Sequence, residues 1–285
     1  MAAPITRYAR SGDVHLAYQV IGDGPRDLVL SLDWASHLEV LWEQLFVQEL
    51  VSSLARFARV LWFDMRGVGL SDRVLDAPAA AEDWLDDVAA VMDAAGSERT
   101  SLVAHGHAAQ MALLAAATHP DRIESLVLLN GFARFARADD YPAGIPREAG
   151  ETLVEQVAGT WGQGTMAAVL GPSLAGNPGM TEWYGRLERF TASPGTALAK
   201  MRTVMELDVR DVLPLVTAPT LVIQNLGDLY VRAAHAATWP STSPARGSSS
   251  ATAPTTGRFR SPTCWWRSRS SSPGRGSTSP RSTAS

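Results

Sequence analysis

Short apolar runs alternate along the chain with longer segments in which apolar residues recur at helical spacing. The apolar runs predict strands over residues 14–20, 27–32, 59–63, 100–103 and 124–130. The helical spacing predicts helices over residues 37–57, 81–95 and 110–119. Strands that alternate with helices in this way are typical of an α/β fold with a doubly wound, mostly parallel sheet.

Residues 133–205 depart from this alternation. Their pattern is helical, is interrupted by five prolines and contains no strand-like run. A further apolar run over 218–224 predicts one more strand, so we expect 133–205 to be a helical insertion between two strands of the sheet. The chain then divides into a first part of the core (1–132), the helical insertion (133–205), a second part of the core (206–240) and a tail (241–285).

The tail has a composition unlike the rest of the chain. It holds 14 Ser, 7 Thr, 7 Arg and 5 Pro, with no Leu, Ile, Val or Met. Such a segment cannot bury enough apolar surface to order itself, so we expect it to be disordered. It contains no acidic residue, which leaves 18 basic against 29 acidic residues in the first 240. The net negative charge of the first 240 residues argues against nucleic-acid and membrane-surface partners.

Two explanations of the tail stay open, a natural basic segment or a changed reading frame. If the message is read from each codon's third base, the run Cys264-Trp265-Trp266 always gives Leu-Val. GC-rich codon choices then allow a strand near 245–250, a histidine near 254–256 and an amphipathic helix over 263–274. We favour the frame change. On either explanation, we expect the last strand and the last helix of the fold to be missing.

The location of the protein is predicted from what the sequence lacks. The single cysteine, Cys264, cannot form an internal disulfide, which fits a reducing compartment. Residues 1–10 have no apolar stretch of a signal peptide, and no apolar run approaches the length of a membrane span. We expect a cytoplasmic protein.

Residues 99–131 read as strand, sharp turn, helix and strand. The turn contains small residues at Ala104 and Ala108, which let the strand and helix backbones approach closely. This arrangement resembles the nucleophile elbow of the alpha/beta-hydrolase superfamily. The central position, where the nucleophile of that superfamily lies, is Gly106, which has no side chain to attack with.

Two other segments carry the same resemblance. The run Asp64-x-Arg66-Gly67-x-Gly69-x-Ser71 is similar to a loop of many alpha/beta-hydrolases, and 219–222 followed by Gly227-Asp228 is similar to the strand that presents the catalytic acid. Residues 36–39 and 92–98 resemble hydrolase domains found alone or joined to nucleotidyl cyclase domains. The resemblance implies an alpha/beta-hydrolase fold in which 133–205 is the helical cap.

The resemblance also implies roles for individual positions. Asp228 is at the position of the acid, and the backbone amides of Trp34 and His107 are at the positions of the oxyanion-hole donors. Asp33 stands where such proteins usually have glycine. A carboxylate beside an oxyanion hole would repel the negative charge that develops there. We expect Asp64 and Arg66 to form a structural turn and ion pair, and His37 to support a helix entry.

The base histidine of such a site is expected well beyond Asp228. No histidine follows His235, which reads as part of the next helix, so we predict that the base is missing. The pair His105 and His107 could bind a metal only with a third ligand, and no carboxylate or cysteine is placed nearby in the sequence. We therefore expect neither a metal nor another cofactor.

Three functions follow from these features. The first is a hydrolase-like protein, related to enzymes that cleave esters or similar bonds, that has lost its activity with the nucleophile and the base. The second is a non-catalytic binding or regulatory module that holds a small apolar molecule in the capped pocket. The third is an active hydrolase with a rebuilt site. We also expect self-association through the sheet edge that the missing strand would expose.

Overall fold

A computed structural model describes residues 3–73, 81–170, 176–225, 228, 230–239 and 249–251. Within this part of the chain, eight strands form one sheet in the order β1-β2-β4-β3-β5-β6-β7-β8. The strands are β1 (Arg7–Ser11), β2 (Val14–Ile21), β3 (Asp27–Ser31), β4 (Arg59–Phe63), β5 (Thr100–His105), β6 (Ile123–Leu129), β7 (Thr220–Asn225) and β8 (Ser249–Ala251).

The sheet is parallel from β4 to β8. Only β2 runs against its neighbours, pairing antiparallel with both β1 and β4. The predicted mostly parallel sheet is confirmed. β1 was not predicted, since its short polar sequence gives no apolar run, and it forms because Gly12, at φ +60°, closes a tight hairpin onto β2.

Alternating side chains of the strands enter two separate apolar layers, as a doubly wound sheet requires. Val29 and Leu61 contribute to the layer under α3 and α4, whereas Leu30 and Trp62 contribute to the layer under α1 and α2. These helices are α1 (Leu38–Leu41), α2 (Leu45–Leu54), α3 (Ala81–Ala94) and α4 (Ala108–Thr118). The buried strands lie between the two layers and present their carboxyl ends along one edge.

The helix predicted over 37–57 is wrong as a single helix. The chain turns at 42–44 and divides the segment into α1 and α2. His37 caps α1, where its Nδ1 accepts a hydrogen bond from the amide of Val40 at 3.4 Å. Apolar spacing runs through both helices, so spacing alone could not reveal the break.

The described part of the predicted insertion, 133–170 and 176–205, contains four helices. They are α5 (Arg147–Thr160), α6 (Met166–Leu170), α7 (Pro178–Thr191) and α8 (Pro194–Glu206). Asn177 and Ser193 cap α7 and α8, and in both helices a proline follows in the first turn, where it costs no hydrogen bond. A 3₁₀ helix (Arg210–Leu215) then returns the chain to β7, and α9 (Ala234–Ala237) follows β7.

The expectation that the last strand is missing is wrong. Residues Ser249–Ala251 form β8, which pairs in parallel with Ile223, Gln224 and Asn225 of β7. Strand pairing uses backbone groups, so a Ser-Ser-Ala segment can pair without the apolar side chains that sequence analysis looks for. The edge of β7 is therefore covered at these positions, and self-association through the sheet edge stays a prediction.

Other predictions for the C-terminal part of the chain fall outside the described residues. These are the disorder of 241–248 and 252–285, the absence of a last helix, and Gly227 of the acid-strand motif. Among the helices that the structure describes, none has the length and apolar character needed to cross a membrane.

Candidate functional site

Gly106 lies at the sharp turn between β5 and α4. Its φ of +58° is in the left-handed region that favours glycine, and its amide donates to the carbonyl of Leu129 at 3.0 Å. α4 begins two residues later at Ala108, so the amides at its start point toward the carboxyl edge of the sheet. The strand, turn and helix predicted for the elbow are present, and its apex carries no side chain.

Asp33 occupies the space next to this apex. It follows β3 with a φ of +85°, which is unusual for any residue other than glycine. Its Oδ1 accepts a hydrogen bond from the amide of Trp34 at 2.7 Å, and its Oδ2 accepts one from the amide of His107 at 3.4 Å. These are the two amides predicted as oxyanion donors. The carboxylate of Asp33 thus lies within the predicted oxyanion hole, where the sequence analysis expected it only beside the hole.

The carboxylate of Asp33 also fills the place of a side chain at position 106. A β-carbon added to Gly106 would overlap with Oδ2 of Asp33. The imidazole Nδ1 of His105 lies 4.0 Å from the same oxygen. The side chains of Asp33 and His105 are 19% and 39% exposed, so solvent reaches this point of the elbow.

Burial dominates the ionisation of Asp33. It raises the pKa of this carboxyl to about 7, although the hydrogen bonds from Trp34 and His107 favour the charged form. Burial, followed by the charges of Asp33 and Asp228, raises the pKa of the Tyr230 phenol. Tyr230 therefore remains neutral and lies near both carboxylates.

Asp228 follows β7, at the position predicted for the acid. Its Oδ1 accepts hydrogen bonds from the amides of Tyr230 and Val231, both at 2.8 Å. Its Oδ2 accepts one from Nδ2 of Asn130 at 2.6 Å. Burial is the largest influence on this carboxyl and raises its pKa. In the described contacts amide groups, and no imidazole, satisfy Asp228, so its role as an acid that orients a base stays a prediction.

His235 lies in α9 and is fully buried. Its Nδ1 shares a hydrogen bond of 2.9 Å with the hydroxyl of Tyr141, and its ring stacks parallel to Phe135. Its Nε2 makes no hydrogen bond within the described part of the chain. Burial lowers its pKa to about 4. His235 thus packs the insertion against the core, and no described contact links it to Asp228.

His107 is buried on the other side of the elbow. Its ring meets Trp84 edge to face with centroids 5.0 Å apart, and neither ring nitrogen has a hydrogen-bond partner among the described residues. Burial, with a smaller effect from Lys200, lowers its pKa to about 3. Only its backbone amide faces Asp33. Among the described residues, no three His, Cys, Asp or Glu side chains cluster closely enough to hold a metal ion.

The family model for the alpha/beta hydrolase fold matches residues 37–249. The chain belongs to this family. Its relatives include a probable esterase of Oryza sativa subsp. japonica, 27% identical over 75% of this chain and 78% of that protein. Another is the "Karrikin insensitive 2 receptor IA" of Petunia hybrida, 26% identical over 76% of this chain and 78% of that protein.

Solved structures show the same fold. The enol-lactonase from Burkholderia xenovorans LB400 superposes with a TM-score of 0.70 at 20% identity, covering 86% of this chain and 91% of that one. The esterase EaEST from Exiguobacterium antarcticum gives 0.72 at 18% identity, covering 86% and 90%. The link to nucleotidyl cyclase domains stays a prediction.

The helical insertion reaches the predicted oxyanion hole through Trp161. This side chain stacks on Trp34, with centroids 5.5 Å apart and ring planes 17° from parallel. Its indole Nε1 donates to the carbonyl of Ala192 at 2.9 Å. The loop after it is fixed by buried Glu188 of α7, whose Oε2 accepts hydrogen bonds from the amides of Gly162 and Gly164.

The Asp64–Ser71 loop is structural, but its two charges do not pair with each other. Buried Asp64 accepts hydrogen bonds from Oγ of Ser36 at 2.5 Å and from the amides of Leu38 and Leu70. Arg66 pairs with Asp87 and Asp83 of α3. The N–O distances of these ion pairs are 2.5 and 2.7 Å.

Lys200, the only lysine of the chain, joins the cap to this loop. It lies in α8, and its Nζ donates to the carbonyl of Arg66 at 3.1 Å. Burial lowers its pKa to about 8, against the attraction of nearby Asp87. Sequence analysis missed both Lys200 and Glu188, because their partners are far away in the chain.

Proposed function

We propose that this member of the alpha/beta-hydrolase fold family does not perform serine-type hydrolysis of esters or similar bonds. One observation carries the proposal. The turn that would present a nucleophile has Gly106 at its apex, and the carboxylate of Asp33 fills the space next to it. The Oryza relative named as a probable esterase supports descent from such enzymes.

The expected loss of catalytic turnover is large. Removing the nucleophile of a serine protease lowers turnover by about 10⁶, and only binding and oxyanion effects remain. Here those remaining effects are also weakened, because the amides of Trp34 and His107 already donate to Asp33. A hydroxyl restored at position 106 would further need a base to take its proton.

The test compares four proteins on one activated ester, p-nitrophenyl acetate. They are the wild type, Gly106→Ser, Asp33→Gly with Gly106→Ser, and the same pair in a chain whose reading frame after codon 235 restores a histidine. Only the last should show saturable turnover. Turnover by the wild type that Asp33→Asn or Asp228→Asn abolishes would contradict the proposal and favour a rebuilt site.

A second candidate is a binding module for a small apolar molecule. The petunia relative named as a receptor favours it, and so does the Trp161–Trp34 stack, which offers an apolar surface beside the elbow. A ligand of this class should raise the melting temperature of the wild type but not of Trp161→Ala. Equal stabilisation of both proteins would place the ligand elsewhere.

A further inference from the structure

The predicted oxyanion hole already contains a carboxyl group that belongs to the chain itself. We propose that Asp33 is an intramolecular ligand that keeps this hole closed, and that the hole binds a free small monocarboxylate when Asp33 leaves it. The inference rests on the proposed function in one respect, namely that no substrate carbonyl uses the hole during turnover.

The donors of the hole suit a carboxylate. The amides of Trp34 and His107 converge on the two oxygens of one carboxyl group. The second amide lies at the start of α4, an 11-residue helix whose dipole favours negative charge at this end. The seated side chain of Asp33 is an independent sign of the preferred ligand, since its terminal group is chemically an acetate.

Two features weaken the binding of the Asp33 carboxyl group in the hole. The hydrogen bond from His107, at 3.4 Å, is longer than a strong amide–carboxylate bond. The side chain of Asp33 is 19% exposed and thus has a path to solvent. A free carboxylate offers the same two oxygens to the same two amides.

Protonation of Asp33 should favour the exchange. A neutral carboxyl accepts hydrogen bonds from amides less strongly than a carboxylate does, while free acetate remains largely ionised at pH 6. The titratable groups with a described interaction with Asp33 are His105 and Tyr230, and Tyr230 also interacts with Asp228. Burial lowers the pKa of His105 to about 4 and raises that of Tyr230, so neither changes charge between pH 6 and 8. Burial raises the pKa of Asp228, and the Asp228→Asn variant controls for its titration.

The experiment titrates acetate, with chloride at equal ionic strength as the control, into the wild type, Asp33→Asn and Asp33→Gly. The amide NMR signals of Trp34 and His107 report occupancy. Asp33→Gly removes the internal ligand and should bind acetate about tenfold more tightly than Asp33→Asn at pH 8. The wild type should bind more tightly at pH 6 than at pH 8, with or without Asp228→Asn.

The outcomes separate clearly. Acetate shifts that are equal in Asp33→Gly and Asp33→Asn, or that chloride reproduces, would overturn the inference. If Asp33→Gly does not fold, the pH dependence of the wild type decides, and the lack of tighter binding at pH 6 overturns the inference. Ester turnover by the wild type would contradict the proposed function while leaving acetate binding by Asp33→Gly intact.

Discussion

At the scale of single residues, two residues with positive φ face each other at the elbow, Asp33 at +85° and Gly106 at +58°. The sequence predicted an empty nucleophile position and an unfavourable carboxylate. It could not predict that the carboxylate turns into the hole, because the direction of the Asp33 side chain depends on a backbone angle that no sequence pattern encodes.

The raised pKa of Asp33 predicts a pH-dependent cost in stability. Between about pH 4, where an unfolded aspartate loses its proton, and pH 7, where Asp33 does so, the folded state binds more protons than the unfolded state. The free energy of unfolding contributed by Asp33 therefore falls as pH rises, by roughly 1.4 kcal/mol per pH unit across this window.

The measurement is urea unfolding of the wild type and Asp33→Asn from pH 4 to 8. The asparagine variant keeps the shape of the side chain without its titration. Asp33→Asn should gain stability relative to the wild type as pH rises. A constant difference between the two proteins would mean that Asp33 has an ordinary pKa.

Gly106 and Gly12 form a matched pair for a second prediction. Both have φ near +60°, but a β-carbon at Gly12 meets nothing within 4 Å, whereas one at Gly106 overlaps with Asp33. Gly12→Ala should cost about 1 kcal/mol for backbone strain alone. Gly106→Ala should cost about 1–3 kcal/mol more.

A double-mutant cycle tests the cause of the extra cost. In an Asp33→Gly background, Gly106→Ala should cost no more than Gly12→Ala, as measured by chemical unfolding. If the extra cost persists without the Asp33 side chain, the overlap with Asp33 is not its source.

At the scale of elements, the helical insertion is held together by contacts that join distant positions of the chain. Glu188 is 24 and 26 residues from the two glycines whose amides it accepts. The apolar pattern predicted the helices of the insertion well, since amphipathic spacing is local. It could not predict a buried carboxylate that fixes a loop, because Glu188 looks like any polar position of a helix.

Removing this carboxylate should loosen the Trp161–Trp34 stack. Glu188→Ala leaves two buried loop amides without their acceptor and should destabilise the protein by about 2–4 kcal/mol. The near-ultraviolet circular dichroism of the tryptophans should weaken as well. Glu182→Ala removes an exposed carboxylate from the same helix and is the control. Unchanged tryptophan dichroism in Glu188→Ala would show that the loop does not depend on it.

At the scale of the whole molecule, β8 decides whether the sheet ends at a short strand of 3 residues or at the longer edge of β7. β3 to β7 were predictable because each of them contains an apolar run. β8 was not, since its Ser-Ser-Ala segment carries no such signal. The frame-change hypothesis remains a prediction, and the nucleotide sequence from codon 225 onward, read in three frames, tests it directly.

Truncation tests the role of β8. A chain that ends after residue 239 lacks β8 and exposes the backbone donors and acceptors of Ile223–Asn225, so it should self-associate. A chain that ends after residue 251 keeps the pairing and should remain monomeric at the same concentration in sedimentation velocity. If both chains associate to the same extent, the edge of β7 is not the contact.

The hydrogen bond from Lys200 to the carbonyl of Arg66 allows the contact between the helical insertion and the core to be followed by chemical modification. Because the chain has no other lysine, an amine-selective acylating reagent modifies this side chain and the N-terminal amine, which peptide sequencing separates. Burial lowers the pKa of the amine to about 8 while Lys200 is packed, and this effect is lost when Lys200 is released to solvent, so free lysine is the matched reference. The rate of acylation of Lys200, divided by that of the free amino acid, therefore gives the fraction of time that Lys200 is released from the Asp64–Ser71 loop.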